Sequence, residues 1–394
     1  MKKSKRVSSV TDMGIKTDLG MFLIERELEK KVISDIRIRQ KNIPGLRQDE
    51  LGYIAIWGQE ELTPGCKACL SGRWTQLRTT SRCNLNCSFC YYFVGNNIPH
   101  VEIIPPDIYL INNRFFTESD IKLLFEVQAE KYLSGVAWLH FEPLLELEKI
   151  LPLMKFIHRK GYHQWLYTNG VYATQESLKK LADAGLNEIR FNLAATNCSN
   201  QAIKNMRVAR RYFKYLCIES PMFTEFYNSF LKKKNSILDT GVDHIHFAEL
   251  QLFPKTKDNF KQEGIIYRYR KGYVSTIRSR QLTYNIFAIA AKEKWKNILL
   301  HDCSNETKFY RGIQYPFPAF GQIMYAGQLM LEQQFFKDAI KYLKTSKVRT
   351  KLRLRKLPSE NEGHFIDPHI FYDTYLKVKH REDELPIVTI DGES

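Results

Sequence analysis

Between residues 75 and 253 the chain alternates short apolar runs with segments whose apolar residues recur at helical spacing. The runs are TQLRTT (75–80), GVAWLHF (135–141), YHQWLYT (162–168), NEIRFNLA (187–194), YLCIESP (215–221) and DHIHFAELQLF (243–253). The intervening segments read as amphipathic helices, three of them closed by Gly161, Gly185 and Gly241 in the position of a C′ glycine. Asn169-Gly170 marks a turn after the third run. Six strand–helix units predict an α/β fold built on a parallel sheet, because each crossover must carry the chain back over it. A partial barrel and a doubly wound sheet both satisfy this pattern. In either one, reactive groups are expected at the C-terminal ends of the strands.

The flanks read differently. Residues 1–15 form a basic arm, and 18–40 mix apolar and charged residues at helical spacing. After 254 the alternation weakens. Residues 265–281 are basic and aromatic, 282–295 read as a helix, and 298–312 as a strand followed by a polar loop. The expected division is an N-terminal extension (1–74), a central α/β unit (75–253) and a C-terminal, substrate-facing extension (254–394).

A chain of 394 residues has room for a core without covalent staples. It has no run of 18 apolar residues, and its basic start lacks the apolar centre of a signal peptide, so a cytoplasmic protein without a membrane span is expected. The 59 Lys and Arg outnumber 43 Asp and Glu, a net charge of +16 that directs attention to anionic partners, nucleic acid included.

The cysteines change the picture more. Three of eight fall in TTSRCNLNCSFCYYF, as Cys83, Cys87 and Cys90, directly after the first strand. Such crowding suits a metal or catalytic site better than a disulfide framework. Structural zinc asks for four ligands, and this loop supplies three. An iron–sulfur cubane held by three cysteines leaves one iron open to another ligand.

This Cys-x3-Cys-x2-Cys loop, with Phe89 before its last cysteine, resembles the signature of radical S-adenosylmethionine (SAM) enzymes. LYTNG (166–170) is similar to that family's third-strand motif, and LADAGLNEIRFN (181–192) and HDCSN (301–305) resemble a poorly characterised, largely archaeal branch similar to glycyl-radical (pyruvate formate-lyase) activating enzymes. The resemblance covers about 66–312. It implies a partial (β/α)6 TIM-like barrel and a [4Fe–4S] cluster on Cys83, Cys87 and Cys90. It also implies SAM on the fourth iron, a 5′-deoxyadenosyl radical that abstracts hydrogen from a substrate, and a reductant such as flavodoxin or ferredoxin. Where the family has Gly-Gly-Glu-Pro, this chain has His140-Phe141-Glu142-Pro143, and the SAM pocket is expected to be remodelled or weakened there.

The resemblance implies Phe89 and Glu142 as cofactor-binding residues; position at strand ends adds Thr168, Asn169, Asn192 and Glu219, with Glu249 weaker. Tyr91 and Tyr92 would pack on the cluster, and His301 reads as a structural histidine sooner than a proton carrier. Cys66 and Cys69 form half of a second metal site, completed most readily by Cys303, as an auxiliary iron–sulfur cluster or zinc. Cys198 and Cys217 are alternative partners, although Cys217, in an apolar strand, reads as a core thiol.

YRYRKGY (267–273) interleaves aromatic and basic residues, and KTSKVRTKLRLRK (344–356) carries seven basic residues and no acid. At strand period the latter puts Lys351, Arg353 and Arg355 on one face. These features suit capture of a peptide, protein or RNA substrate. The expected function is thus a radical SAM enzyme whose substrate is a peptide or protein. The alternatives are an RNA-modifying radical SAM enzyme and a zinc-stabilised, non-catalytic nucleic-acid-binding protein.

Overall fold

The computed structural model describes residues 26–308 except 50–52, 91–103, 105–106, 112–113, 127–132, 254–255 and 270–272. Beyond 308 it describes only strand pieces at 329–330, 352–353, 355–356, 364–366 and 390–391. Tyr91 and Tyr92 lie outside the described residues, as do the side chains of Lys351, Arg353 and Arg355.

All six expected runs are strands: β3 (Trp74–Leu77), β6 (Gly135–Trp138), β7 (His163–Thr168), β8 (Glu188–Phe191), β9 (Tyr215–Met222) and β10 (His244–Glu249). They pair in parallel, in sequence order, as neighbours of one sheet. Four helices serve the crossovers: α4 (Leu147–Arg159), α5 (Gln175–Asp183), α6 (Asn200–Ala209) and α7 (Thr224–Leu238). The helix starts are set locally. Thr174 and Ser199 stand before α5 and α6 and accept from the amides of Ser177 and Ala202, both at 3.2 Å. Gly185 ends the α5 unit with φ +91°, and a Cβ there would fall 2.2 Å from the His158 ring, so both conformation and space require glycine.

The sheet does not stop at six strands. α8 (Ile277–Glu293) leads to β13 (Leu299–Cys303), which pairs parallel to β10. β2 (Ala55–Gly58) then pairs antiparallel to β13, and β1 (Leu46–Gln48) to β2. The N-terminal segment therefore joins the sheet, and the edge that would be bare after β10 is covered. Beyond the other edge, a hairpin of β4 (Ile108–Ile111) and β5 (Arg114–Thr117) extends from β3 through a bridge of Arg78 to Leu110. The architecture is α/β with a mainly parallel sheet, a partial TIM-like barrel.

Strand period two separates the faces. Val136, Trp138, Leu166, Ile189, Phe191, Leu216, Ile218 and Ile245 belong to the main buried core with Ile150, Leu153, Met154 and Ile157 of α4. The residues between them, among them Trp165, Tyr167, Glu188, Arg190, Cys217, His244 and His246, point to the other face. There a short helix, α2 (Pro64–Leu70), fills the space that a closed barrel gives to stacked side chains. Ala68 packs with Ala137 and Trp165. Gly65 lies so close to Arg190, Glu188 and Trp165 that an added Cβ would meet them at 2.8, 2.8 and 3.1 Å.

A second buried polar system fastens the flanks to the sheet. Arg280 of α8 donates to Asp302 of β13 at 2.9 Å and to Glu306 at 2.9 Å. Tyr284 donates to the same Asp302 at 2.6 Å. Arg37 and Gln40 of α1 (Arg26–Lys41) reach Glu306 and Tyr284. The HDCSN stretch is thus a structural junction: Asn305 N–H also donates to Glu249 at 2.7 Å, and Glu249 accepts from the Tyr267 hydroxyl. Tyr267 and Tyr269, from the aromatic and basic stretch read as suited to substrate capture, are 1% and 2% exposed and belong to the interior. No helix among the described residues is long and apolar enough to cross a membrane.

Replacing Arg280 with Met leaves the buried Asp302 without its cation and Glu306 with Arg37 alone. Loss of one member of a buried pair costs about 3–5 kcal/mol. Denaturant unfolding of Arg280→Met should show a loss of that order, and an unchanged midpoint would contradict this account of the junction.

Candidate cofactor site at the C-terminal edge of the sheet

Three of the residues expected at the site, Glu142, Thr168 and Asn169, come together through one carboxylate. Glu142 follows β6 and is fully buried. Its Oε1 accepts from Thr168 Oγ1 at 2.8 Å and from Leu144 N at 3.2 Å, and its Oε2 accepts from Asn169 N at 2.8 Å. The end of β6 is thereby tied to the end of β7. The same contact caps the 3-10 turn Pro143–Glu146. Burial outweighs these three donors and pushes Glu142 up to about 7.

Asn169 turns this anchorage toward the cysteine loop. Its Nδ2 donates to Asn84 Oδ1 at 2.8 Å and lies 3.9 Å from Cys83 Sγ, and its Oδ1 accepts from Val171 N at 3.0 Å. The loop is held at three further points. Cys87 Sγ faces Ala195 O at 3.8 Å, Ser88 O accepts from Asn259 Nδ2 at 2.8 Å, and the Phe89 ring lies 5.9 Å from that of Phe223. Asn192 closes β8: its N–H donates to Thr168 O at 2.8 Å and its Oδ1 caps the turn Leu193–Thr196. Thr168 Oγ1 also accepts from Gly170 N at 3.0 Å, so its hydroxyl serves the turn.

Burial raises Cys83 and pushes Cys87 up to about 12, and in each case the neighbouring thiols of the loop add to the rise. Thiols raised in this way become thiolates readily on a cationic iron–sulfur cluster, which offsets the repulsion among them. The donor set therefore fits the three-cysteine attachment of such a cluster.

The departure at 140–141 has a structural outcome. His140 and Phe141 both take positive φ, 73° and 55°. The backbone keeps a left-handed shape that glycine adopts freely, at a cost of about 1–3 kcal/mol per non-glycine residue. Side-chain contacts offset part of this. His140 Nε2 lies 3.0 Å from Gln76 Oε1, and the Arg78 guanidinium sits 5.7 Å over the Phe141 ring.

Glu219 lies apart from this group. It projects to the inner face, where Arg190 Nη1 donates to its Oε2 at 2.8 Å. The buried Arg190 also donates to Glu188 Oε1 at 2.6 Å and to the Tyr167 hydroxyl at 2.9 Å. Cys66 is buried, and Cys69 and Cys303 are half-buried near enough to act on its charge. Cys217, the expected core thiol, is buried with its Sγ 3.6 Å from Glu188 Oε1. Cys198 is buried apart from these, in the main core. His301 shares its surroundings with His244 and His246, which the sequence reading missed, as it missed Glu188 and Arg190. The signal was present as His-x-His and Glu-x-Arg within two strands, spacings that put both members on one face.

Residues 77–216 match the profile of the radical SAM superfamily. That stretch is a radical SAM domain, and the cofactors of such domains are a [4Fe–4S] cluster and SAM. Two proteins of Methanocaldococcus jannaschii are related. One, bearing the name of a glycyl-radical enzyme activating enzyme, is 24% identical over 218 residues, 52% of this chain and 55% of its own length. An uncharacterised protein is 23% identical over 200 residues, 48% of this chain and 61% of its own. The chain thus spans little more than half the length of these relatives. Among solved structures, SuiB of Streptococcus suis bound to its precursor peptide SuiA overlays with a TM-score of 0.43 at 12% identity, covering 80% of this chain and 66% of that one. Methylornithine synthase overlays with a TM-score of 0.38 at 13% identity, covering 73% and 74%.

A buried carboxyl whose native pKa lies above its unfolded value (about 4.3) stabilises most fully below that unfolded value. The contribution is lost as pH rises toward the native pKa, here about 7. Wild type should therefore lose stability relative to Glu142→Gln between about pH 4.3 and 7. Unfolding curves of the two proteins across this range test it, and a constant difference would refute the assignment.

Proposed function

We propose that this protein is a radical SAM enzyme that abstracts hydrogen from a peptide or protein substrate. The observation that carries the reading is the cysteine loop itself. Cys83, Cys87 and Cys90 follow the first parallel strand, and Asn169 holds the loop against the end of the third. When bound, the cluster and SAM supply a reductively generated 5′-deoxyadenosyl radical, with flavodoxin or ferredoxin as electron donor. The chain's own work is attachment and orientation. The thiolates of Cys83, Cys87 and Cys90 would hold the cluster. Asn169 positions Cys83, and Glu142 fixes Asn169 through its backbone amide. Phe89 anchors the loop on the core. Asn192 offers polar atoms to SAM from β8, while Thr168 acts by shaping the turn.

The name of the archaeal relative supports a protein substrate. So does the charge excess, which favours an acidic segment. We assign substrate capture to the basic stretch 344–356, outside the radical SAM domain.

Each of Cys83→Ala, Cys87→Ala and Cys90→Ala should abolish cluster reconstitution and release of 5′-deoxyadenosine from SAM under reducing, anaerobic conditions. Reductive SAM cleavage by the triple variant would falsify the reading.

Changing Lys351, Arg353 and Arg355 together to Gln should weaken substrate binding and flatten its salt dependence, while leaving substrate-free SAM cleavage intact. A partner co-purified from the native host should survive ribonuclease. Its loss on that treatment would turn the assignment to RNA, and unaltered binding by the Gln variant would remove the basic stretch from substrate capture.

A further inference from the structure

The sheet's inner face, toward the N-terminal ends of its strands, holds a second constellation. His244 and His246 sit two apart on β10, so both project to this face. His301 on β13 is the register partner of His246. Cys66 comes from α2, the helix inserted against the same face. All four are fully buried, and one ligand atom from each lies within 4.8 Å of the others.

The distances are those of coordination. Cys66 Sγ is 3.4 Å from His301 Nδ1 and 3.7 Å from His246 Nδ1. Zinc bonds of about 2.3 Å to sulfur and 2.0–2.1 Å to nitrogen, set at the tetrahedral angle, separate S and N by about 3.6 Å. Hydrogen bonding accounts for the group less well. A free thiol has one proton for two facing ring nitrogens, and His244, 1% exposed, has no partner at either ring nitrogen among the described residues. Burying such a group unsatisfied costs about 1–3 kcal/mol. One cation can engage the sulfur and all three rings.

The charges also close. A zinc ion with one thiolate carries +1. Beside it, Arg190 between Glu188 and Glu219 forms a triad of net −1. A buried cation with its counter-charge in contact range avoids the cost of an isolated buried charge. The neighbouring grouping of Glu188, Cys217 and His246 is a poorer site, because the Glu188 oxygens are already taken by Arg190, Thr63 and the amide of Gly65.

We infer that Cys66, His244, His246 and His301 form a closed, structural zinc site that pins α2 inside the N-terminal end of the sheet. Four protein ligands leave no open position, which separates this site from a catalytic one. The inference keeps Cys66 from the auxiliary site expected from sequence and replaces Cys69 and Cys303 with three histidines. It does not depend on the radical SAM reading.

The test uses the full chain carrying Cys83→Ala, Cys87→Ala and Cys90→Ala, so that the cluster loop cannot hold metal. As purified, it should contain about one zinc per chain. Stripped and reloaded with Co(II) alone, it should show the intense visible bands of a tetrahedral ion and a thiolate-to-cobalt charge-transfer band. Adding Cys66→Ser should remove the charge-transfer band, and adding His244→Gln should lower the metal content. Adding Cys69→Ala and Cys303→Ala should change neither. If the Cys66 variant fails to fold, the parent's cobalt spectrum decides: a thiolate band supports the site and its absence overturns it. The assignment also falls if the parent binds neither metal, or if Cys69→Ala and Cys303→Ala abolish binding as Cys66→Ser does.

Discussion

The bond set of Glu142 is the constraint from which the cofactor edge is built. Parallel strands bring their C-terminal ends to one side, but adjacency alone does not fix the turns that leave them. Here a single buried carboxylate takes the amide of Asn169, the hydroxyl of Thr168 and the amide of Leu144. With its backbone held there, Asn169 places its side chain between Val171 N and Asn84 of the cysteine loop. The strained left-handed pair His140-Phe141, immediately upstream, is what delivers the carboxylate into reach. Two glycines would make that bend at lower cost. Two side chains make it with a histidine on Gln76 and an aromatic face under Arg78.

The opposite end of the sheet is governed by a different problem. An incomplete barrel leaves an inner face that apolar side chains from too few strands cannot fill. α2 supplies the missing volume, and its approach is so close that Gly65 admits no side chain. Thr63 Oγ1 and Gly65 N, at the start of that helix, both donate to Glu188. Glu188 in turn pairs with Arg190, and Arg190 with Glu219.

The fold was largely legible because each central strand is a compact apolar run bounded by glycine or a polar turn. What escaped was non-local. β2 is a four-residue strand, AIWG, and it becomes part of the sheet only by pairing with β13 more than 200 residues away. The polar members of the strands escaped for a related reason. DHIHFAELQLF reads as an apolar strand, and its two histidines acquire meaning only when His301 and Cys66 arrive from distant segments. Cys83, Cys87 and Cys90 were legible because their spacing is local. YRYRKGY misled in the opposite sense, since its alternation puts Tyr267 and Tyr269 inward, where Glu249 and the flank of α1 receive them.

Buried charge is expensive to retain, and similar volumes of apolar side chain often give equal or greater stability. The inner face nevertheless keeps an arginine, two glutamates and three histidines. Their arrangement gives a reason. Glu219, partly exposed in the middle of β9, is the member nearest solvent; Glu188 is the member nearest the plug; Arg190 bridges them. A hydrophobic filling would hold α2 in place but would leave Glu219 without a fixed partner. The ion pairs do both, so the orientation of the Glu219 carboxylate is set by the same contacts that seat the helix at the closed end.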